Sequence, residues 1–143
     1  MSAKADDPYD LQRFVDAQEP VYAHVCAELE AGRKRTHWMW FIFPQPAGLG
    51  RSAMSMKYAI SDADEARAYL AHPVLGERLR HCTKLVNGIE GRTAEEIFGP
   101  VDAMKFRSSM SLFAEVAGEK EEFEAALARY FGGEYDEKTM ERM

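Results

Sequence analysis

The stretch His37-Trp38-Met39-Trp40-Phe41-Ile42-Phe43-Pro44 decides how the fold of this chain is interpreted. It is too continuously apolar to be one face of an exposed helix, and its length alone cannot separate a buried strand from a buried helical turn. Apolar residues elsewhere recur at helical spacing, not in alternation. We therefore favour a helical turn here, with a short extended segment at 38–43 as the alternative.

Helix signals flank this run on both sides. Three N-terminal caps have a polar acceptor followed by a proline or, three residues later, by a glutamate: Asp7-Pro8, Asp62 with Glu65, and Thr93 with Glu96. Between such caps the apolar residues fit about seven short helices, and no convincing alternating strand remains. The predicted fold class is all-α, a compact multihelical single domain over residues 1–133. The apolar residues at helical spacing end at Gly132-Gly133, so residues 134–143 are predicted to be a loosely docked tail.

Size and composition agree with one soluble domain. A chain of 143 residues, 46% of them hydrophobic, can bury a working core without metal or disulfide. Cys26 and Cys82 have neither metal-site nor redox spacing, so we expect free thiols in the core. Residues Met1 to Asp7 lack the apolar core of a signal peptide, and no run approaches a membrane span. We expect a cytoplasmic protein with no membrane partner.

Charge is unevenly distributed along the chain. Residues 31–60, the acid-free window, contain Arg33, Lys34, Arg35, Arg51 and Lys57 but no Asp or Glu, although the whole chain carries a formal −6. Such segregation favours one electropositive face and an anionic partner. Nucleic acid is an unlikely partner, because duplex binders need a broad basic surface and the pI is about 5.3.

The loop Gly48-Leu49-Gly50-Arg51-Ser52 is the strongest candidate for function. Two glycines let backbone amides approach a ligand, Arg51 can fork onto a phosphate or carboxylate, and Ser52 can begin a short helix. The lysine and spacing of a phosphate-binding loop are absent, so a tight turn with a solvated arginine is an equally good interpretation.

A longer helix from Val101 to Ala117 could complete an anion site. Phe106, Met110 and Phe113 share one apolar face, while Lys105, Ser108 and Ser109 fall on a flank. We predict a pocket formed by the 37–52 segment and the 101–113 helix. Its predicted ligand-binding residues are His37, Trp40, Gln45, Gly48, Gly50, Arg51, Ser52, Lys105, Ser108 and Ser109.

Structural roles compete with several of these assignments. His37 has no second metal-type ligand at helical spacing, so packing or local hydrogen bonding is favoured over metal or base chemistry. Trp38 and Trp40 are favoured as core residues over a stacking platform. Asp102 and Lys105 are favoured as a plain intrahelical pair over an imported acid. We predict no metal and no cofactor, and the catalytic residues, if any exist, stay unknown.

The chain is similar to an uncharacterised bacterial family of small helical proteins with a domain of unknown function. The resemblance is carried by Thr36 to Gln45, Gly48 to Ser52, Leu11 to Phe14, Tyr58 to Ile60, Glu65 to Leu70, His72-Pro73, and Asp102 to Phe113. It implies a single multihelical domain and no known activity. Some members carry an automatic calpastatin label, but such an inhibitor repeat would be disordered and poor in aromatics, whereas this chain is 11% aromatic.

Two functions from different classes remain open. The first is a pocket for a small phosphorylated or carboxylated metabolite; whether the protein is an enzyme is left open. The second is a protein-interaction module that uses the aromatic and basic surface at 33–46 to bind an acidic partner or a second copy. The sequence does not determine the oligomeric state.

Overall fold

The computed structural model describes residues 7–142, so the expectation that no signal peptide begins at Met1 falls on residues outside it. The helices of the first half are α1 (Gln12–Gln18), α2 (Tyr22–Glu30), α3 (Met39–Ile42), α4 (Ala53–Lys57) and α5 (Ala63–Ala71). Those of the second half are α6 (Leu75–Asn87), α7 (Ala94–Phe98), α8 (Pro100–Val116), α9 (Glu121–Phe131) and α10 (Glu137–Glu141).

The all-α prediction is confirmed, with more helices than expected. Residues 7–142 contain ten helices and no strand, against the seven or so predicted. Four of the ten have only four or five residues. Three of these lie where the sequence predicts a helical turn, a short helix after Ser52 and a cap at Thr93, whereas α10 lies in the segment predicted to be a tail. The extended alternative for residues 38–43 does not hold, because the amide of Ile42 donates to the carbonyl of Trp38 in a helical turn.

The predicted caps form, with differences of detail. Thr93 and Glu96 make the complete reciprocal capping box. Asp62 accepts from the amide of Glu65, whereas the Glu65 carboxylate accepts from the amide and hydroxyl of Ser61. Asp7 accepts from the amides of Leu11 and Gln12, so α1 begins several residues later than Asp7-Pro8 suggested.

Helix α8 is the centre of the domain. It packs against α3, α5, α7, α9 and α10. Its residues 108–114 are all buried, so the flank predicted at Ser108 and Ser109 lies inside the domain and not at the surface. Small serines on this stretch let neighbouring helices approach. The side chains that α8 presents at its amino-terminal end, from Val101 to Lys105, stay partly or fully exposed apart from Ala103.

The apolar run around α3 anchors the loop that follows it. Trp38, Met39, Ile42 and Phe43 are buried, and the Phe43 ring meets the Phe106 ring of α8 edge to face with centroids 4.9 Å apart. Aromatic pairs of this geometry stabilise beyond their buried area. The loop 44–52 therefore starts from a fixed point against α8.

Two further contacts hold this loop from the other side. The amide of Ala47 donates to Ile60 and the amide of Ile60 to Gln45, at 2.8 and 2.9 Å, which forms an isolated parallel bridge. Arg13 then ties the segment before Ile60 to α1 and α5. Its guanidinium donates to the carbonyls of Lys57 and Ala59, and to Glu65 at 2.9 Å.

Residues 134–142, within the segment expected to be a tail, make specific contacts with α8. The Asp136 carboxylate caps α10 by accepting from Thr139, and also accepts from the Ser108 hydroxyl at 3.2 Å. The amide of Asp136 donates to Ser111, and Thr139 is fully buried. The segment thus contributes side chains next to the amino-terminal half of α8.

Candidate functional site

A row of three charged side chains connects the acid-free window to α8. The Lys34 ammonium lies 2.8 Å from one oxygen of Asp102, and the Lys105 ammonium lies 3.4 Å from the other oxygen. The intrahelical pair of Asp102 and Lys105 is therefore present, as predicted, but Asp102 makes its closer contact with Lys34. One carboxylate between two ammonium groups leaves the row with one uncompensated positive charge.

Each lysine of this row also lies over a tryptophan ring. Lys34 is 5.2 Å from the Trp38 ring centroid and Lys105 is 5.1 Å from that of Trp40. Both distances fit a cation–π contact. Trp38 is buried in the core, as favoured from sequence, whereas Trp40 is half-buried and reaches a cavity.

Glu28 fixes the basic segment that precedes Trp38. Its carboxylate accepts from the amides of Arg35 and Thr36, from the Thr36 hydroxyl and from the Trp38 indole. Partial burial raises the pKa of this carboxyl. The donors, the Thr36 hydroxyl first among them, lower the pKa by more than burial raises it, and the resulting pKa is about 2. The acid that the window lacks is thus supplied from α2.

Two adjoining cavities lie where the loop meets α4 and α8. The Trp40 cavity has a volume of about 120 Å³ and includes Trp40, Gln45, Gly50, Met56 and Tyr58 in its wall. The Lys105 cavity has a volume of about 240 Å³ and is lined by Gln45, Leu49, Gly50, Val101, Met104, Lys105, Ser108, Asp136 and Lys138. Gln45 and Gly50 line both cavities, so these two residues form the boundary between them.

The electrostatics of the Lys105 cavity are weakly positive. Lys105 and Lys138 line it together with Asp136. The Asp136 carboxylate is already engaged by Ser108 and Thr139, which leaves it less able to bind a cation. Within residues 7–142 the ion pairing of Lys105 is limited to the 3.4 Å contact with Asp102, so its ammonium, which lies over Trp40, can also turn toward an anion in the cavity.

Six of the ten predicted ligand-binding residues line one or both cavities. They are Trp40, Gln45, Gly48, Gly50, Lys105 and Ser108. The other four line neither cavity. They are His37, Arg51, Ser52 and Ser109.

The four residues outside the cavities have simple local environments. His37 and Arg51 are exposed. Ser52 caps α4 by accepting from the amide of Ser55 and donating to its hydroxyl. The Ser109 hydroxyl is buried in α8 and has no hydrogen-bond partner within residues 7–142.

The two loop glycines are explained by close approaches. Gly48 has a φ of +92°, and a Cβ there would lie 2.6 Å from the Arg142 guanidinium. A Cβ on Gly50 would lie 2.5 Å from the Ser55 hydroxyl oxygen. Glycine is therefore favoured by the positive φ at Gly48 and by packing against Ser55 at Gly50, in both cases independently of any ligand.

Sequence reasoning missed the residues that come from the end of the chain. Asp136 and Lys138 line the Lys105 cavity, and Arg142 approaches Gly48 with a guanidinium-to-carbonyl distance of 3.5 Å. No local pattern marks them, because their role depends on where α10 packs. Tyr58 and Met56 were also missed, since both were counted only as part of a short helix.

A larger groove lies elsewhere, along α6. It has a volume of about 680 Å³ and includes Arg78 and Arg80. Arg78 donates to Glu19 at 2.8 Å, and Arg80 is paired with Glu122. Its arginines are thus committed to structural ion pairs, and Lys84 in its wall is offset by Glu77, which makes the smaller cavities at Lys105 the better candidate for an anion.

The described residues offer no support for a metal site, a reactive thiol or a membrane-spanning helix. Residues 7–142 hold no group of three or more His, Cys, Asp or Glu side chains arranged to bind a metal ion. Burial raises the pKa of the Cys82 thiol to about 12, which keeps it protonated and unreactive. Among the helices described, none combines the length and apolarity that a membrane crossing requires.

Comparison with known proteins places the chain without assigning an activity. It is similar to a crystal structure of the conserved hypothetical protein Rv1873 from Mycobacterium tuberculosis, with 56% identity and a TM-score of 0.93. That match covers 94% of this chain and 96% of the other. A search of curated proteins found no match. A family described as "Protein of unknown function (DUF1810)" matches residues 8–143, and the chain belongs to this family.

Proposed function

We propose that this protein binds a small anionic metabolite, phosphorylated or carboxylated, in the paired cavities between the 37–52 segment and α8. The observation that carries the proposal is the position of Lys105. It shares Asp102 with Lys34, lies over Trp40 and lines a cavity. The surplus positive charge of the row is thus available where a ligand can reach it.

The burial of the row supports this assignment. The Lys34 side chain is only 7% exposed, whereas those of Lys105 and Asp102 are each 20% exposed. Asp102 lies closer to Lys34, so the deeper lysine is the better neutralised of the two. An anion near Lys105 would be partly shielded from water, where charge pairs are stronger than at an open surface.

The interaction-module alternative has less support. The aromatic part of the 33–46 segment is largely buried, with Trp38, Phe41 and Phe43 in the core. The exposed residues there are Arg33, Arg35, Thr36 and His37, which leaves no apolar centre for a protein interface. A small-molecule cavity lined by both apolar and polar groups fits the geometry better.

A thermal-shift panel at low salt tests the proposal. The ligands are inorganic phosphate, sugar phosphates, nucleotides, ADP-ribose and small carboxylates. A ligand of the native state raises Tm by mass action, and we expect at least one class to do so in the wild type. Lys105→Met should abolish the shift.

Lys57→Met is the matched control. Lys57 also lies over an aromatic ring, 5.3 Å from Tyr58, but lines neither cavity. It should keep the wild-type shift. Absence of any shift in the wild type, or an equal loss in both variants, would contradict an anion site at Lys105.

A further inference from the structure

We infer that the preferred ligand is a monocarboxylate with an apolar or aromatic body, and not a phosphate. The inference rests on the proposed function and narrows it to one chemical class. It follows from three features of the paired cavities: the amount of positive charge, the kind of donors, and the exposed apolar side chains at the rim.

The charge balance suits a single negative charge. Lys105 and Lys138 provide two positive charges in the Lys105 cavity, and Asp136 in its wall removes one. Asp102 shares its own charge between Lys34 and Lys105. About one unit of positive charge is left, which matches a carboxylate and leaves a doubly charged phosphate partly uncompensated.

The donors point the same way. Phosphate sites in proteins usually use arginine forks or the amide groups at a helix N-terminus. No arginine is among the described residues that line either cavity. Gln45, by contrast, lies in both walls and is only half-buried, so its side-chain amide can meet a ligand in either cavity. An ammonium and one amide can together hold the two oxygens of a carboxylate.

The apolar rim provides the reason for an apolar body. Met56, Val101 and Met104 are 65%, 67% and 69% exposed. They are the large hydrophobic side chains that stand out as exposed in the described chain, and each lines one of the two cavities. Clustered exposed apolar side chains mark binding sites, and methionine adapts its shape to a bound ring or chain.

The shared wall lets one ligand use both features. Gln45 and Gly50 border both cavities, so a ligand whose carboxylate meets Lys105 can place its body past Gln45 toward Trp40 and Met56. The Trp40 cavity, at about 120 Å³, has room for a group about the size of one ring. Larger bodies would extend over Val101 and Met104.

Isothermal titration at low salt and pH 7 with four matched probes tests the inference. The probes are acetate, phenylacetate, inorganic phosphate and phenyl phosphate, which separate the charged group from the apolar body. We expect phenylacetate to bind at least about tenfold more tightly than acetate and than phenyl phosphate. Lys105→Met should weaken phenylacetate about tenfold or more.

A second variant isolates the body of the ligand. Met56→Ser removes an exposed apolar side chain from the wall of the Trp40 cavity, where the ring of phenylacetate is placed, and should not disturb folding. It should weaken phenylacetate several-fold while acetate binding stays unchanged. Lys57→Met again serves as the control with wild-type affinity for every probe.

The outcomes separate the inference from the function on which it rests. Tighter binding of phenyl phosphate or phosphate, lost in Lys105→Met, would overturn the carboxylate inference and leave the anion site standing. Equal affinity for acetate and phenylacetate would overturn the role of the apolar rim. If none of the four probes binds and the broader thermal-shift panel is also silent, the proposed function fails with it.

Discussion

Two lysine and tryptophan pairs in this molecule share the same chemistry and differ in burial. Lys34 lies over Trp38 and Lys105 lies over Trp40, at 5.2 and 5.1 Å from the ring centroids. Both lysines contact Asp102. The first pair is closed off in the core, whereas the second borders two cavities.

The difference shows that pair chemistry alone does not define a site. Around Trp38 the donors and acceptors are matched, because Glu28 accepts from its indole and Asp102 takes the nearer contact with Lys34. Such a closed set fixes the position of α3 against α8. Beside Trp40, the Lys105 ammonium has the longer contact with Asp102 and also lines a cavity. It is therefore accessible to a ligand, as a binding site requires.

The largest expected effect is the difference in the free energy of unfolding between alanine variants of the two tryptophans. Trp38→Ala should lower the free energy of unfolding by about 3–5 kcal/mol, the usual cost of removing a large buried aromatic. Trp40→Ala should cost less than half of that, because the side chain is only half-buried. Urea unfolding followed by circular dichroism measures both. Equal losses would mean that Trp40 is as much a core residue as Trp38.

Replacing the two lysines should also cost more stability at the buried pair than at the accessible pair, but with a smaller difference than for the tryptophans. Lys34→Met removes the closer and more deeply buried partner of Asp102 and should cost about 1–3 kcal/mol. Lys105→Met should cost less than about 1 kcal/mol, because its ion pair is longer and more exposed. The same unfolding assay applies. A larger loss for Lys105 would assign that residue a structural role instead of a binding one.

The pH dependence of stability should identify Glu28 as the residue that fixes the buried pair of Lys34 and Trp38. Its folded pKa of about 2 lies below the usual 4.5, so the carboxylate stabilises the fold at higher pH. This stability is fully present above pH 4.5 and is lost as pH falls toward 2. Glu28→Gln should lower Tm by a few degrees at pH 7, and its difference from the wild type should shrink between pH 4.5 and 2.

Glu96→Gln is the matched control for that titration. Glu96 also has a lowered pKa, caused chiefly by its hydrogen bonds with Thr93, but it lies in the exposed capping box of α7. It should show a smaller difference from the wild type at every pH, because an exposed cap contributes less. A Glu28 difference that does not vary with pH would show that its charge is not what stabilises the segment.

Much of the fold could be predicted because its signals are local. The box of Thr93 and Glu96, the cap at Asp62 and the spacing in α8 all act within one or two helical turns. The apolar run around Trp38 also indicated burial correctly, because a run without polar positions has no solvent face.

The site was harder to predict because its contacts are distant in sequence. Gln45 and Lys105 share a cavity wall because α3 packs against α8. Lys34 meets Asp102 where its amide donates to the carbonyl of Ile97 in α7, which also packs against α8. Lys138 reaches the cavity from a segment expected to dock loosely. No spacing rule relates such positions, so their proximity depends on packing that the sequence alone does not reveal.

Arg51 is the residue on which the sequence and the structure differ most, and it gives the smallest expected effect. The sequence predicts that Arg51→Ala loses anion binding, whereas the structure places Arg51 in solvent outside both cavities. We now expect unchanged stability, within about 0.5 kcal/mol, and ligand affinity within about twofold of the wild type. Titration of whichever ligand the thermal-shift panel identifies, run beside Lys105→Met, measures this. Loss of binding in Arg51→Ala would mean that the 48–52 loop closes over the ligand and brings the arginine in, which would make the open Lys105 cavity the ligand-free form of the site.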